Sequence, residues 1–513
     1  MTSKDILLCT LNATYFHAAF GLRYLKANLR ELSDRCEICE FTTGENLLDI
    51  AEKLLARSPK IIGFGIYIWN TKESLELIQI LKELSPETTI VIGGPEVSFE
   101  QDKQEVCRIA DYTVCGEGED IFYSLAQALL SGKTKPGEKI LRGELPDLSK
   151  MPLPYSLYTD EDVSHRVIYV EASRGCPYKC EFCLSSLDEK VRAFPLDSFL
   201  NEMQVLMNRG VRQFKFVDRT FNLNIQTSLK IMQFFLDRIS LGLFIHFELI
   251  PDRLPDELKE LIRLFPEGSL QFEIGVQTLN PVVEKNISRL QNHSRMRENF
   301  LFLSESTKVH THADLIVGLP GEDLQSFSEG FDNLYALKPH EIQVGILKRL
   351  RGTPIIRHDR DFSMKYSATT PYPILKTSTM DFQTIQRMQR FAKFWDLIAN
   401  SGNFKETMKQ IAPSPSIFND FLQLVDFLSV RHPKRHSIAL VNLVESVWKF
   451  LTEVKGRDPE VVRQALIEDY SVKGKRDIPK FLRDEDPQID YKTRLPLFSE
   501  KNISMKRQAR HLS

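Results

Sequence analysis

Apolar and polar positions along the first third of the chain alternate between two periods. Short apolar runs at 5–11, 61–68, 89–95 and 111–119, and an alternating run at 36–41, predict strands. Between them, apolar residues recur every three to four positions over 18–32, 47–57, 72–84 and a stretch ending near Leu130, which predicts helices. Strand–helix alternation at this spacing predicts an open, doubly wound, Rossmann-like parallel sheet, whose ligands lie at the C-terminal ends of the strands. Residues 131–165, rich in Gly, Pro, Lys and Asp, predict a linker. The alternation then resumes, with strands predicted over 167–172, 213–218, 243–248, 270–276, 312–317 and 341–348. Six βα units predict a partial or complete barrel. Past Gly352 the strand signal fades. Helices are predicted over 381–402, 415–431, 438–454 and 459–469, and the chain beyond about Ser471 is charged and irregular. The expected division is 1–135, a linker over 136–165, a barrel over 166–355 and a mostly helical region over 356–513, an α/β protein overall.

Composition narrows the function. Lys and Arg total 67 and Asp and Glu 69, a net charge of −2, which argues against a nucleic-acid or membrane-surface binder. No apolar run approaches the roughly 18 residues of a membrane span. The N-terminus lacks the pattern of a secretory signal, and eight cysteines among 513 residues are too sparse for a disulfide scaffold. The expectation is a cytoplasmic protein that binds no membrane. The basic stretches at 431–436 and 501–511 are expected to be solvated charge, with a polyanionic substrate as the alternative.

The strongest chemical signal is Cys176, Cys180 and Cys183, three thiols on the loop after the first strand of the second region. Thiolates suit iron–sulfur clusters and zinc. A structural zinc site wants four protein ligands and often pairs two CxxC units, and no second unit lies nearby. Three cysteines on one loop fit a four-iron cluster with one iron open to a further ligand. Three unrelated packed thiols are the alternative. Cys36 and Cys39 sit three apart in a predicted strand, on opposite faces, and read as packing residues.

A C-x3-C-x2-C loop after the first strand of a βα barrel resembles the radical S-adenosylmethionine (SAM) enzymes, over about 166–355. The resemblance implies that Cys176, Cys180 and Cys183 ligate a [4Fe-4S] cluster whose open iron binds SAM. The reduced cluster of that family cleaves SAM to methionine and a 5′-deoxyadenosyl radical. Phe182 would then pack near adenine, and Asp218 would lie near the SAM amino group. Glu273 and Gln277 would face the barrel mouth, Arg289 would pair with the SAM carboxylate, and Ile316 and Gly318 would offer backbone groups to adenine. The pattern departs at Arg219, where relatives often carry a small or acidic residue.

A doubly wound domain ahead of such a barrel resembles the cobalamin-binding subgroup. The matching residues are Gly63, Gly65 and Tyr67, then Gly93, Gly94 and Pro95, then Gly116 and Gly118, after the third, fourth and fifth strands. Glycine permits the close backbone approach that a bulky corrin nucleotide needs. No G-x-G-x-x-G follows the first strand, so a dinucleotide is disfavoured; an empty domain is the alternative. The loop after the first strand carries His17, but Tyr15 stands where an orienting Asp is usual, which implies cobalamin without a protein histidine on cobalt. The C-terminal region resembles the helical extension of an uncharacterised branch of this family. Together these resemblances imply an enzyme that methylates an unactivated carbon of a small-molecule or natural-product-like substrate, with an electron donor such as flavodoxin or ferredoxin. A non-methylating radical reaction and a non-catalytic cobalamin or cluster sensor are the alternatives. A methylthiotransferase is disfavoured, because the N-terminal cysteines are misplaced for a second cluster.

Overall fold

The computed structural model describes residues 4–132, 137–434, 438–471, 479 and 481. Six parallel strands form the first sheet: β1 Ile6–Asn12, β2 Cys36–Thr42, β3 Ile61–Gly65, β4 Thr89–Gly93, β5 Tyr112–Cys115 and β6 Ile140–Arg142. Their order, β2-β1-β3-β4-β5-β6, places the topological switch between β1 and β3. All seven residues of β1 are buried, because helices cover both faces of a parallel sheet. Leu7, Cys9 and Leu11 join one core and Ile6 and Leu8 the other.

The predicted linker is more structured than its composition indicates. It supplies β6, a capped helix Asp160–His165 and two fully buried tyrosines. Tyr155 and Tyr158 donate from Oη to the carbonyls of Glu171 and Tyr169 at 3.1 and 2.8 Å, strapping the segment to the next domain. Isolated tyrosines in a Gly/Pro-rich stretch carry no periodicity, so pattern reading passes over them.

The second sheet comprises β7 Ile168–Val170, the short antiparallel arms β8 Ser173–Arg174 and β9 Arg192–Ala193 standing apart as a ribbon, then β10 Gln213–Phe216, β11 Phe244–Leu249, β12 Leu270–Gln277, β13 His310–Val317 and β14 Glu341–Ile346. The six main strands run parallel in the order β14-β13-β12-β11-β10-β7, and β14 does not pair with β7. The barrel is therefore partial, with a seam between those two edges. Loops of the first domain reach both edges. His17 forms a bridge with Val167 on the β7 side. On the β14 side, Arg351 binds Glu96 at 2.8 Å and Glu100 at 3.3 Å.

Helices Phe382–Ile398, Lys405–Ile411, Ile417–Arg431, Leu440–Lys449 and Pro459–Ser471 form the C-terminal region and share one continuous core with the barrel. Among the described residues no helix is long and apolar enough to cross a membrane. The basic run 501–511 and residues 435 and 436 lie outside the described residues.

Candidate functional site

Each sheet carries a concavity at the C-terminal ends of its strands. In the first domain a cavity of about 250 Å³ lies between the ends of β3, β4 and β5 and the helices Phe20–Ala27 and Glu119–Leu130. Gly65, Tyr67, Gly93, Gly94, Gly116 and Gly118 all line it, with Leu22, Leu25, Val114 and Phe122 making its wall apolar. Glycine is required at Gly94: its φ is +109°, and an added Cβ would stand 2.5 Å from the Ile66 carbonyl oxygen. Pro95 is exposed and lies outside the lining.

The loop after β3 is held by Asn70, whose role the sequence did not reveal. Its Nδ2 donates to Thr10 Oγ1, the Leu11 carbonyl and the Gly65 carbonyl, and its Oδ1 accepts from the Tyr67 N–H at 2.8 Å. Tyr67 stacks on exposed Trp69 with ring centroids 4.5 Å apart. The polar end of the cavity is Glu117, Glu119 and Arg174. Arg174 binds Glu117 at 2.7 Å, Glu119 at 2.8 Å and Glu171 at 2.9 Å, while Glu119 Oε2 is buried with no hydrogen-bond partner. A buried acceptor on an otherwise apolar wall is costly unless a ligand donor meets it. His17 does not line the cavity; its Nδ1 lies 2.6 Å from Tyr169 Oη, and burial, with Lys215 nearby, lowers its pKa.

In the barrel a cavity of about 140 Å³ is lined by Cys176, Cys180, Phe182, Cys183, Glu273, Gln277 and Arg289. The structure adds Arg219, Glu248 and Asp314 to this set. Gly175 and the β8–β9 arms set the cysteine loop, and the Cys176 N–H donates to the Asp188 carbonyl at 2.8 Å. Between the second and third cysteines, buried Glu181 accepts from Ser288 Oγ at 2.7 Å, from Arg357 and from His358 Nε2 at 2.8 Å. That anchor joins residues more than a hundred positions apart, which no local pattern signals. Arg289 donates from Nη1 to Cys180 Sγ at 3.2 Å and from Nη2 to the Gly275 carbonyl. Burial raises the Cys176 pKa.

Asp218 occupies a different place from the one the resemblance implied. It is buried, accepts from the Ala172 N–H at 2.9 Å and from Ser173 Oγ at 2.6 Å, and does not line the cavity. Burial pushes its pKa up to about 6. Strand alternation instead brings Glu248, Glu273 and Asp314 to the inner face, where Arg219 holds Glu248 at 3.1 Å. Burial alone would raise Glu273, but His246, with Nε2 3.3 Å away, and the charge of Lys215 outweigh it and hold the carboxyl at about 2. Asp314 is pushed well above the carboxylate range by burial and by facing Glu273 and Glu248. Ile316 is half-buried and Gly318 buried, and neither lines the cavity.

Among the described residues no three His, Cys, Asp or Glu are gathered closely enough to hold a single metal ion. The three thiols instead share the rim of one cavity, the arrangement a cluster bound at its corners requires.

A B12 binding domain model matches residues 6–126, and a Radical SAM superfamily model matches residues 170–333. The chain thus carries a B12-binding domain and a radical SAM domain. A third model, a protein of unknown function (DUF4080), matches residues 360–510. The chain is 26% identical over 333 residues to an uncharacterised methyltransferase of Pyrococcus horikoshii, covering 59% of this chain and 70% of that one. It is 25% identical over 330 residues to the cobalamin-dependent radical SAM methyltransferase TokK of Streptomyces tokunonensis, covering 56% of this chain and 47% of TokK. The match therefore spans about half the length of TokK. Among solved structures, TsrM from Kitasatospora setae, with cobalamin and a [4Fe-4S] cluster bound, superposes with a TM-score of 0.59 at 16% identity, covering 90% of this chain and 99% of that one. OxsB, with aqua-cobalamin and S-adenosylmethionine bound, gives 0.61 at 13% identity, covering 91% and 84%. At these identities the likeness is one of fold.

Proposed function

We propose that the chain is a cobalamin-dependent radical SAM methyltransferase acting on an unactivated carbon of a small molecule. One observation carries this reading: Arg174 lines the glycine-walled cavity of the first domain and stands two residues before Cys176, the first thiol on the rim of the second cavity. The methyltransferase names of the relatives from Pyrococcus and Streptomyces support it.

In this reading Cys176, Cys180 and Cys183 hold a [4Fe-4S] cluster, and Gly65, Tyr67, Gly93, Gly94, Gly116 and Gly118 admit the cobalamin nucleotide. Bound there, the cluster supplies the electron for reductive cleavage of SAM, and the cobalamin supplies the methyl group. Arg289 pairs with the SAM carboxylate and Phe182 covers the adenine; Ile316 and Gly318, outside the lining, take no part in this reading. Glu248, Glu273 and Gln277 accept from its amino and hydroxyl donors. These carboxylates take the role the resemblance gave Asp218, whose oxygens are committed to Ala172 and Ser173. Asp314 lines the same cavity beside Glu273 and Glu248, and burial pushes its pKa up. A flavodoxin or ferredoxin supplies the electron. The five other cysteines, Cys9, Cys36, Cys39, Cys107 and Cys115, are buried as free thiols, which supports a reducing, cytoplasmic setting. The functional division we assign is 1–135, 136–165, 166–355 and 356–513.

The test is anaerobic purification with iron and cobalamin supplied, followed by metal analysis, a visible spectrum and a SAM-cleavage assay. About four irons and one cobalt per chain are expected. Cys176→Ala, Cys180→Ala and Cys183→Ala should each abolish the brown chromophore and cleavage. Cleavage that survives in any one of them removes that cysteine from the ligand set. Iron without cobalt would leave a radical SAM enzyme whose first domain binds something else.

A further inference from the structure

The cysteine loop is gripped at its base from the other domain. Arg174 on β8 and Arg192 on β9 are register partners at the two ends of the loop that carries Cys176, Cys180 and Cys183. Both guanidiniums bind one carboxylate, Glu117, which belongs to the first domain and lines its cavity. Arg174 also binds Glu119 of the same cavity wall and lies against the stacked rings of Tyr24 and Phe194, at 4.5 and 5.6 Å. The connection onward to Cys176 is stiff. Gly175 has a φ of +91°, and an added Cβ would stand 2.5 Å from the Lys190 carbonyl oxygen.

We propose that Glu117 and Arg174 are positioning residues shared by the two cofactor sites. Filling the corrinoid cavity sets the Glu117–Arg174–Arg192 clasp, and the clasp sets the cysteine loop. The warrant is geometric: Arg174 is at once a wall of the first cavity and the residue two before the first thiol. The side chains are almost wholly desolvated, with exposures of 13% for Arg174, 19% for Glu117 and 7% for Glu119, so the clasp is little screened by solvent. By reciprocity, a cluster that orders the loop must tighten corrinoid binding by the same factor that corrinoid tightens the cluster site. The inference rests on the cobalamin reading above.

The experiment is a visible titration of the full chain with hydroxocobalamin, anaerobically, with the cluster reconstituted and after its removal. The wild type is expected to bind more tightly with the cluster present, by about 5- to 150-fold. Glu117→Gln and Arg174→Gln should lose that dependence, and Arg174→Lys should restore part of it. Arg351→Lys, at the other interdomain contact, should keep it. The cluster's electron paramagnetic resonance signal should shift on adding hydroxocobalamin in the wild type and Arg351→Lys, but not in Glu117→Gln. Glu117→Gln and Arg174→Lys carry the test if Arg174→Gln fails to fold. Equal affinities with and without cluster in the wild type, retained dependence in Glu117→Gln, or its loss in Arg351→Lys would each overturn the inference. No binding by the wild type in either state would instead overturn the cobalamin reading on which it rests.

Discussion

Glu322, just past the end of β13, shows how a single buried carboxyl sets pH behaviour. It accepts from Thr278 Oγ1 at 2.6 Å, its other oxygen is buried without a partner, and burial pushes its pKa up to about 8. The folded chain thus holds this proton more tightly than the unfolded chain, whose group titrates near 4.5. The stability it contributes is complete below that lower value and is lost as pH rises through about 8. Glu322→Gln should flatten the fall of unfolding free energy across this window, by at most about 1.4 kcal/mol per pH unit. Denaturant melts at several pH values check this, and parallel slopes in variant and wild type would refute it. Residue identity was legible in the sequence where chemistry is local. The three thiols and most of the glycines announce themselves by spacing. Glu117, Arg174 and Glu181 do not, because each acts through partners remote in the chain, and an Arg or Glu in isolation reads as surface charge. Asp218 was misplaced for a related reason: position at a strand end does not say which neighbours have already claimed the carboxylate.

Elements were legible in type and order, less so in their ends. The strands predicted over 61–68, 89–95 and 111–119 stop at Gly65, Gly93 and Cys115. Of the surplus residues, Tyr67, Gly94, Gly116, Glu117, Gly118 and Glu119 line the cavity and Ile66, Ile68 and Pro95 do not, so the run past a strand end held much of the cavity wall rather than more sheet. The helix predicted over 18–32 is likewise two pieces, Phe20–Ala27 and the tighter turn Arg30–Arg35, with Asn28 closing the first through its N–H and Nδ2 to the Tyr24 carbonyl. Gly94 is where an element end is most constrained. Gly94→Ala puts a methyl against the Ile66 carbonyl at a left-handed φ, and such strain costs about 1–3 kcal/mol. A lower melting temperature and weaker cobalamin binding are the expected results. Gly116→Ala is the comparison, since its φ is +81° but an added Cβ meets nothing within 4 Å. It should lose some stability to backbone strain and less binding. Equal binding losses in the two variants would show that the close approach at Gly94 does not shape the cavity.

At the scale of the molecule, the barrel and the C-terminal helices are one folding unit even though the sequence reads as separate regions. Phe331, on the barrel helix Leu324–Tyr335, packs edge-on to Phe391 and Trp395, and Phe327 meets Phe418 at 5.9 Å. Trp395 and Phe418 lie in two different C-terminal helices, and all of these rings are buried. The β14 backbone is tied to the same region, since Asn400 accepts from the Ile342 N–H and donates to its carbonyl at 3.0 and 2.9 Å. Amphipathic helices after residue 380 were legible from periodicity, but periodicity gives a buried face without saying what covers it. The covering surface here is the barrel's own helical layer. A chain cut after Gly352 would therefore expose Phe327, Phe331 and Leu334, and each aromatic ring brings about 150–250 Å² of apolar surface into water. Such a truncation is expected to aggregate, or to melt without a cooperative transition, even though every cysteine and every glycine of the two cavities remains. Size-exclusion chromatography and calorimetry of the 1–352 chain test this. A monodisperse species with a sharp transition would make the C-terminal helices an accessory rather than a wall of the barrel.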